Sequence, residues 1–127
     1  MLKTASIIFG IVFLIIGILG LIPAAAPNGM LLGIFHVNGF HNAVHLLTGV
    51  IAIIAGVTGS AAARLFFQVF GIIYAIVALL GFFYGGSNIL GVLANNIPDA
   101  WLHVLIAVVA LYFGFVWAEE RHPAATR

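Results

Sequence analysis

The sequence contains no cysteine, which excludes disulfides, thiolate nucleophiles and metal or iron–sulfur centres with cysteine ligands. It is also poor in charge, since Lys and Arg total 4, Asp and Glu total 3, and charged residues make up 6% of the chain. Soluble domains carry about 25% charged residues, so this chain cannot cover a water-facing surface. Its net charge of +1 offers no electrostatic basis for binding nucleic acid.

What the sequence has instead is apolar residues, which make up 65% of its 127 positions. Crossing a hydrocarbon core of about 30 Å takes roughly 20 helical residues, and four apolar runs approach that length. The sequence therefore predicts an all-α fold, a four-helix transmembrane bundle in the lipid bilayer, as a single domain 1–127 with residues 119–127 as a cytoplasmic tail. The four runs are Thr4–Pro23, His41–Val57, Leu65–Tyr84 and Asp99–Ala118.

The first run has the flanks of a secretory signal peptide, because Lys3 precedes it and the small residues Ala24–Ala26 follow it. Its apolar region is longer than the roughly 7 to 15 residues of a signal-peptide core, however. Pro27 would also fall just after the small-residue cluster. We therefore interpret the run as the first membrane span.

The positive charges predict the orientation of the spans. Lys3, Arg64, Arg121 and Arg127 fall on one side of a four-span layout, and the two long connecting segments have no Lys or Arg. By the positive-inside rule, both termini are expected in the cytoplasm. The sequence thus predicts a multi-pass protein of the cytoplasmic (inner) membrane.

The two halves of the sequence resemble each other. Phe9-Gly10-Ile11 matches Phe70-Gly71-Ile72, and further along the chain several polar and glycine positions recur. This predicts two helix-loop-helix repeats, about 4–58 and 64–118, related by a pseudo-twofold axis along the membrane normal. The short apolar pieces Met30–Phe35 and Ile89–Leu93 are expected to form short interfacial helices in the outer loops. The later matching pairs are Leu32-Gly33 with Leu90-Gly91, Asn38 with Asn96, His41 with Asp99, and His45 with His103.

The polar members of these pairs stand at the starts of the second and fourth helices. His41 and His45 lie one turn apart, as do Asp99 and His103, and each pair continues into a stripe of small residues on the same helical face. Small residues let membrane helices approach closely, so both stripes are expected to face protein and to bring the four side chains together at the outer face. His36 is within reach in the loop before the second helix. Asn38 and Asn96 stand where helix N-caps belong.

The segments His41-Asn42-Ala43-Val44-His45-Leu46-Leu47-Thr48-Gly49 and Asp99-Ala100-Trp101-Leu102-His103 resemble those of a bacterial family of small four-helix membrane proteins known only as a domain of unknown function. That family carries an HNxVHLxxG segment and a later DxWLH segment. The similarity covers nearly the whole chain. It implies four spans and no assigned activity, and it carries no catalytic residues onto this sequence.

Ionisable residues inside a membrane are costly and are functional candidates by default. One hypothesis for the cluster is a metal site, because His41, His45, Asp99 and His103 offer nitrogen and oxygen donors suited to zinc, copper, iron or nickel. A variant is haem held as a cofactor between His45 and His103, at pseudo-twofold positions.

A second hypothesis is structural: the histidines hydrogen-bond across the helix interface and set the register of two similar halves. A third is a proton or small-solute pathway, since histidine changes charge near neutral pH and hydroxyls follow at Thr48, Tyr74 and Tyr112. No nucleophile paired with a base can be identified, so the chain is expected not to be an enzyme. Pairing of two copies through the remaining small-residue faces stays open.

Overall fold

In a computed structural model, residues 1–117 are described and form a four-helix bundle. The helices are α1 (Leu2–Leu21), α2 (Gly39–Thr58), α3 (Ser60–Tyr84) and α4 (Ile97–Leu111), and α4 continues as a π-helical segment (Tyr112–Val116). All four are long and apolar enough to cross a membrane. The predicted all-α, four-span architecture is therefore confirmed. Ala118, the expected end of the fourth run, and the tail 119–127 lie outside the described residues.

The helices pack as two pairs, α1 with α2 and α3 with α4. Glycine is what lets the first pair approach, since a Cβ added to Gly10 would lie 2.6 Å from the backbone oxygen of Gly49, and one added to Gly49 would lie 2.8 Å from the backbone oxygen of Gly10. In the second pair, a Cβ on Gly114 would lie 2.8 Å from the backbone nitrogen of Gln68. Close backbone contact at small residues is how helices associate where no water drives apolar burial.

The two pairs meet along α2 and α3, which are joined by a single residue. That residue, Gly59, has a φ of 155°, a conformation that side chains disfavour. On the opposite side of the bundle, α1 and α4 leave an apolar groove of about 430 Å³ between them. The bundle is therefore closed on one side by the contact of α2 with α3 and open on the other between α1 and α4.

The middle of the bundle is filled with aromatic rings. Phe67 is fully buried, and its ring contacts those of Phe9, Phe66 and Phe113 at centroid distances of 5.2 to 5.6 Å. Phe13 is 3% exposed and stacks on Phe9 with centroids 4.6 Å apart. These rings separate the end of the bundle that carries the two long loops, here called the long-loop end, from the end that carries the Gly59 link.

The long loops contain hairpins, so the prediction of short helices at Met30–Phe35 and Ile89–Leu93 is wrong. Strands β1 (Met30–Leu31) and β2 (Phe35–His36) pair antiparallel, and in the second loop Ile89 bridges Leu93 in the same sense. The cause is local, because two successive residues with positive φ turn the chain back on itself, as in a two-residue hairpin, whereas a helix needs negative φ. These residues are Leu32 (53°) and Gly33 (71°) in the first loop and Leu90 (52°) and Gly91 (74°) in the second.

Candidate functional site

Four ionisable side chains are buried together at the long-loop end. His41 and His45 come from the start of α2, and Asp99 and His103 come from the start of α4. None is more than 2% exposed. The spacing of four residues places each pair on one face of its helix, and the close approach of the small residues turns both faces toward the bundle interior.

The helix starts are held by asparagine side chains. Asn38 Oδ1 accepts the backbone N–H of His41 at 2.9 Å, and Asn96 Oδ1 accepts that of Asp99 at 3.1 Å. These are the bonds of an N-cap, which satisfies an otherwise orphaned amide of the first turn. The caps therefore fix the backbone position of His41 in α2 and of Asp99 in α4, the first ionisable residue of each helix.

The ring of His41 is oriented by the second loop. Its Nδ1 lies 2.9 Å from the carbonyl oxygen of Ala94, and since a carbonyl can only accept, Nδ1 carries the hydrogen. In the neutral ring, Nε2 then carries the lone pair, and it lies 3.1 Å from Nε2 of His45. His41 thus presents an electron-pair donor to the centre of the cluster.

Asp99 closes the cluster from α4. Its Oδ2 lies 3.7 Å from Nε2 of His41 and 3.7 Å from Nδ1 of His103, which is too long for a hydrogen bond in either case. Within residues 1–117, Asp99 Oδ2, His103 Nδ1 and His45 Nδ1 have no hydrogen-bond partner. Buried polar groups are nearly always paired, so the concentration of unpaired atoms here requires an explanation.

The three histidines converge as the sequence predicts. One nitrogen of each of His41, His45 and His103 lies within 4.8 Å of the others, a spacing suited to a shared metal ion. The rings of His45 and His103 have centroids 6.2 Å apart, so the two histidines face each other across the interface. His36 is placed differently, since its Nδ1 is directed at the carbonyl oxygen of Asn95, 3.4 Å away.

The inner wall of the cluster consists of aromatic rings and one hydroxyl pair. Phe13 lies against His45 and Tyr74 against His103, with centroids 5.3 and 5.6 Å apart. The Tyr74 hydroxyl lies 3.1 Å from Oγ1 of Thr48, which donates its own hydrogen to the carbonyl oxygen of Val44. Tyr74 is therefore the donor to Thr48, and the hydroxyl pair marks the inner limit of the polar region.

Sequence reasoning missed two contributors from the second loop. The Ala94 carbonyl is a backbone group, so the residue type at that position does not indicate its contact with His41. Asn95 is fully buried, and its Nδ2 donates to the carbonyl oxygens of Gly81 (3.0 Å) and Gly85 (2.8 Å), which ties the end of α3 to the loop. The available signal in the sequence was a second asparagine, Asn95, directly before the predicted cap Asn96.

A family model described as a domain of unknown function, DUF4383, matches residues 3–116. The chain belongs to this family. The match confirms the resemblance to a family of unknown function and extends from the first turn of α1 to the end of the fourth span. All four residues of the cluster lie within the DUF4383 match. No curated protein and no solved structure matches the chain.

Proposed function

We propose that this chain is a non-enzymatic membrane protein that holds a divalent first-row transition metal ion between α2 and α4. The proposal rests on the spacing of four donor atoms in sequence. His45 Nε2 lies 3.1 Å from His41 Nε2, which lies 3.7 Å from Asp99 Oδ2, and that oxygen lies 3.7 Å from His103 Nδ1. Ligands at 2.0 to 2.1 Å from a tetrahedral zinc ion lie about 3.3 Å apart. The three separations differ from this value by about 0.2 to 0.4 Å. His45 binds the ion through Nε2 when its hydrogen is on Nδ1, which has no partner within residues 1–117.

The donor set favours some ions over others. Imidazole nitrogen with one carboxylate oxygen suits zinc, iron, copper(II) or nickel, whereas calcium and magnesium prefer oxygen ligands. The bond from His41 Nδ1 to the Ala94 carbonyl supports this assignment. Metal-ligating histidines usually donate their other N–H to a carbonyl or carboxylate, which fixes the ring.

Haem has less support than a bare ion. A porphyrin bound to Nε2 of His45 needs free space around that atom, and Nε2 of His41 already lies 3.1 Å from it. The arrangement of His45 and His103 therefore suits a compact ion better than a ring held between two axial ligands.

Packing is a second role of the same cluster, favoured by the His41–Ala94 bond between the start of α2 and the second loop. A single hydrogen bond of this kind in a membrane is worth only about 0.6 kcal/mol on average. If α2 and α4 packed through other faces, several buried polar groups would lack hydrogen-bond partners, and the loss of folding free energy would be larger than about 0.6 kcal/mol. In this proposal the cluster sets the register of α2 and α4, and the bound ion supplies a partner for the donor atoms that lack one.

Catalysis and transport have less support. The buried serine and threonine hydroxyls are engaged with carbonyl oxygens, since Ser6 donates to Ala52 at 2.6 Å and Thr48 to Val44 at 2.8 Å, so neither is paired with a base. A relay across the membrane would have to pass the phenylalanine core around Phe67, which is fully buried. The proposal places the cluster near the outer face of the cytoplasmic membrane with both termini inside, as the positive charges predict.

The direct test is the metal content of protein purified in detergent without chelators. We expect about one zinc, iron, copper or nickel ion per chain by elemental analysis, and loss of that ion in His45→Ala and in His103→Ala. His36→Ala, which removes a histidine outside the cluster, should keep it. Wild-type protein that neither carries a metal nor takes one up from solution would overturn the proposal, and a Soret band would shift it to haem.

A further inference from the structure

The two long loops are bound to each other by a reciprocal pair of hydrogen bonds. Nδ2 of Asn38, which follows the first loop, donates to the carbonyl oxygen of Val92 in the second loop at 2.9 Å. Nδ2 of Asn96, which follows the second loop, donates to the carbonyl oxygen of Ile34 in the first loop at 2.8 Å. We call these four residues the cross-loop clasp. Ile34 and Val92 follow the matched turns Leu32-Gly33 and Leu90-Gly91, so the clasp is symmetric between the halves.

Each asparagine of the clasp performs two tasks with different atoms. Its Oδ1 caps the helix that carries the ionisable pair, and its Nδ2 holds the opposite loop. The same amide therefore joins the start of one helix of the site to the loop that leads into the other. Both cross-loop bonds are exposed to water, which competes for the same groups and allows them to open readily.

The loops are what separates the cluster from water. His41 and Asp99 lie in the first turns of their helices, yet each is only 1% exposed. Buried loop residues cover this end: Leu31, Val37, Ile89, Ala94 and Asn95 are at most 4% exposed. The inner side of the cluster is closed by Phe13 and Tyr74, so a hydrated ion must pass between the loops.

We propose that the cross-loop clasp is a gate that sets how fast water-borne species reach the histidine cluster. The identity of the ion rests on the proposed function, but the closure itself does not. Opening breaks the two Nδ2 bonds and the longer contact of His36 Nδ1 with the Asn95 carbonyl oxygen (3.4 Å), while the Oδ1 caps stay in place. The loops therefore part without unwinding α2 or α4. None of the four clasp residues is a ligand of the proposed ion, so the gate acts on the rates of entry and exit and leaves the affinity nearly unchanged.

The asparagines can be changed so that only the clasp is lost. Serine is as good an N-cap as asparagine, and it adds no charge. Its single Oγ lies at the cap on a shorter side chain, and it has no second polar atom in place of Nδ2 to reach the opposite loop. The double variant Asn38→Ser/Asn96→Ser should therefore keep its helices and lose both hydrogen bonds of the clasp. The matched control is Asn88→Ser, the same change within the second loop at a residue outside the clasp.

The first measurement needs no metal. Diethyl pyrocarbonate acylates accessible unprotonated imidazole, and peptide mass mapping reports its rate at His41, His45 and His103 in the detergent-purified chain. We expect the double variant to react about 5- to 150-fold faster than wild type at these residues, the factor that two ordinary hydrogen bonds are worth together. Asn88→Ser should react like wild type. The second measurement is zinc exchange, for which the rates of uptake and release should rise by a similar factor with little change in Kd.

The outcomes separate the two proposals. Faster acylation in the double variant with no metal binding in any protein would support the gate and overturn the metal site. Unchanged acylation and, where zinc binds, unchanged exchange would overturn the gate whether or not the site holds a metal. Acceleration at His36 alone would show that the loops loosen without opening the cluster, and would also overturn the gate.

Discussion

Nδ1 of His41 lies 2.9 Å from the carbonyl oxygen of Ala94, so a loop residue more than fifty positions away decides which nitrogen of the histidine faces the cluster. With the hydrogen held at Nδ1, the Nε2 lone pair points toward His45 and Asp99. The helix α2 supplies the ring, but the second loop supplies its orientation. The properties of the site therefore depend on both halves of the chain.

The carboxylate of Asp99 should contribute directly to metal affinity. Asp99→Asn keeps the size of the side chain but removes the charge that faces both His41 and His103 at 3.7 Å. We expect zinc affinity to fall by at least the 10- to 100-fold that loss of a supporting group typically costs. A competition titration with a chromogenic chelator measures it. An unchanged affinity would show that the histidines bind the ion alone.

The hydroxyl of Tyr74 should not be part of the metal site. Tyr74→Phe keeps the ring against His103 and removes only the bond to Thr48, whose own hydrogen is donated to Val44. We expect the metal content to stay as in wild type and the stability to fall by about 0.6 kcal/mol. Loss of the ion in this variant would place the phenol oxygen among the ligands.

The close contact of α1 and α2 at Gly10 should not tolerate a methyl group. In Gly10→Ala the new Cβ would lie 2.6 Å from the Gly49 oxygen, so the helices must move apart. We expect a loss of about 1 to 3 kcal/mol, the usual cost of overpacking, seen as a lower melting temperature in detergent. The control is Gly39→Ala in the first turn of α2, where a Cβ meets nothing within 4 Å. A similar loss in both variants would mean that the effect is not steric.

The hairpin of the second loop should depend on backbone conformation at Gly91. A Cβ there meets no neighbour, but its φ of 74° is disfavoured for a side chain. Gly91→Ala should therefore destabilise the protein by about 1 to 2 kcal/mol, again measured as a melting temperature. Gly86→Ala, also free of close neighbours and without positive φ, should have little effect. Equal tolerance of both changes would contradict the assigned turn.

Much of the site could be predicted because its elements are periodic. A spacing of four residues puts His41 with His45 and Asp99 with His103 on single faces, and small residues on the same faces indicate which way they point. The loops were mispredicted for the opposite reason. Met30–Phe35 and Ile89–Leu93 are apolar and short, and composition alone does not separate a helical turn from a hairpin. The φ values of Leu32 and Leu90 decide it, and leucine gives no signal for positive φ.

Hydrophobicity and helical period are properties of the chain itself, so the sequence alone determined the number of spans, their approximate limits and the inward direction of the histidines. The tertiary structure decided how the two halves engage: the carbonyl of Ala94 on His41, the crossed bonds of Asn38 and Asn96, and the distances around Asp99. Backbone atoms are the same at every residue. Which of them meets which side chain is settled only when distant segments pack together.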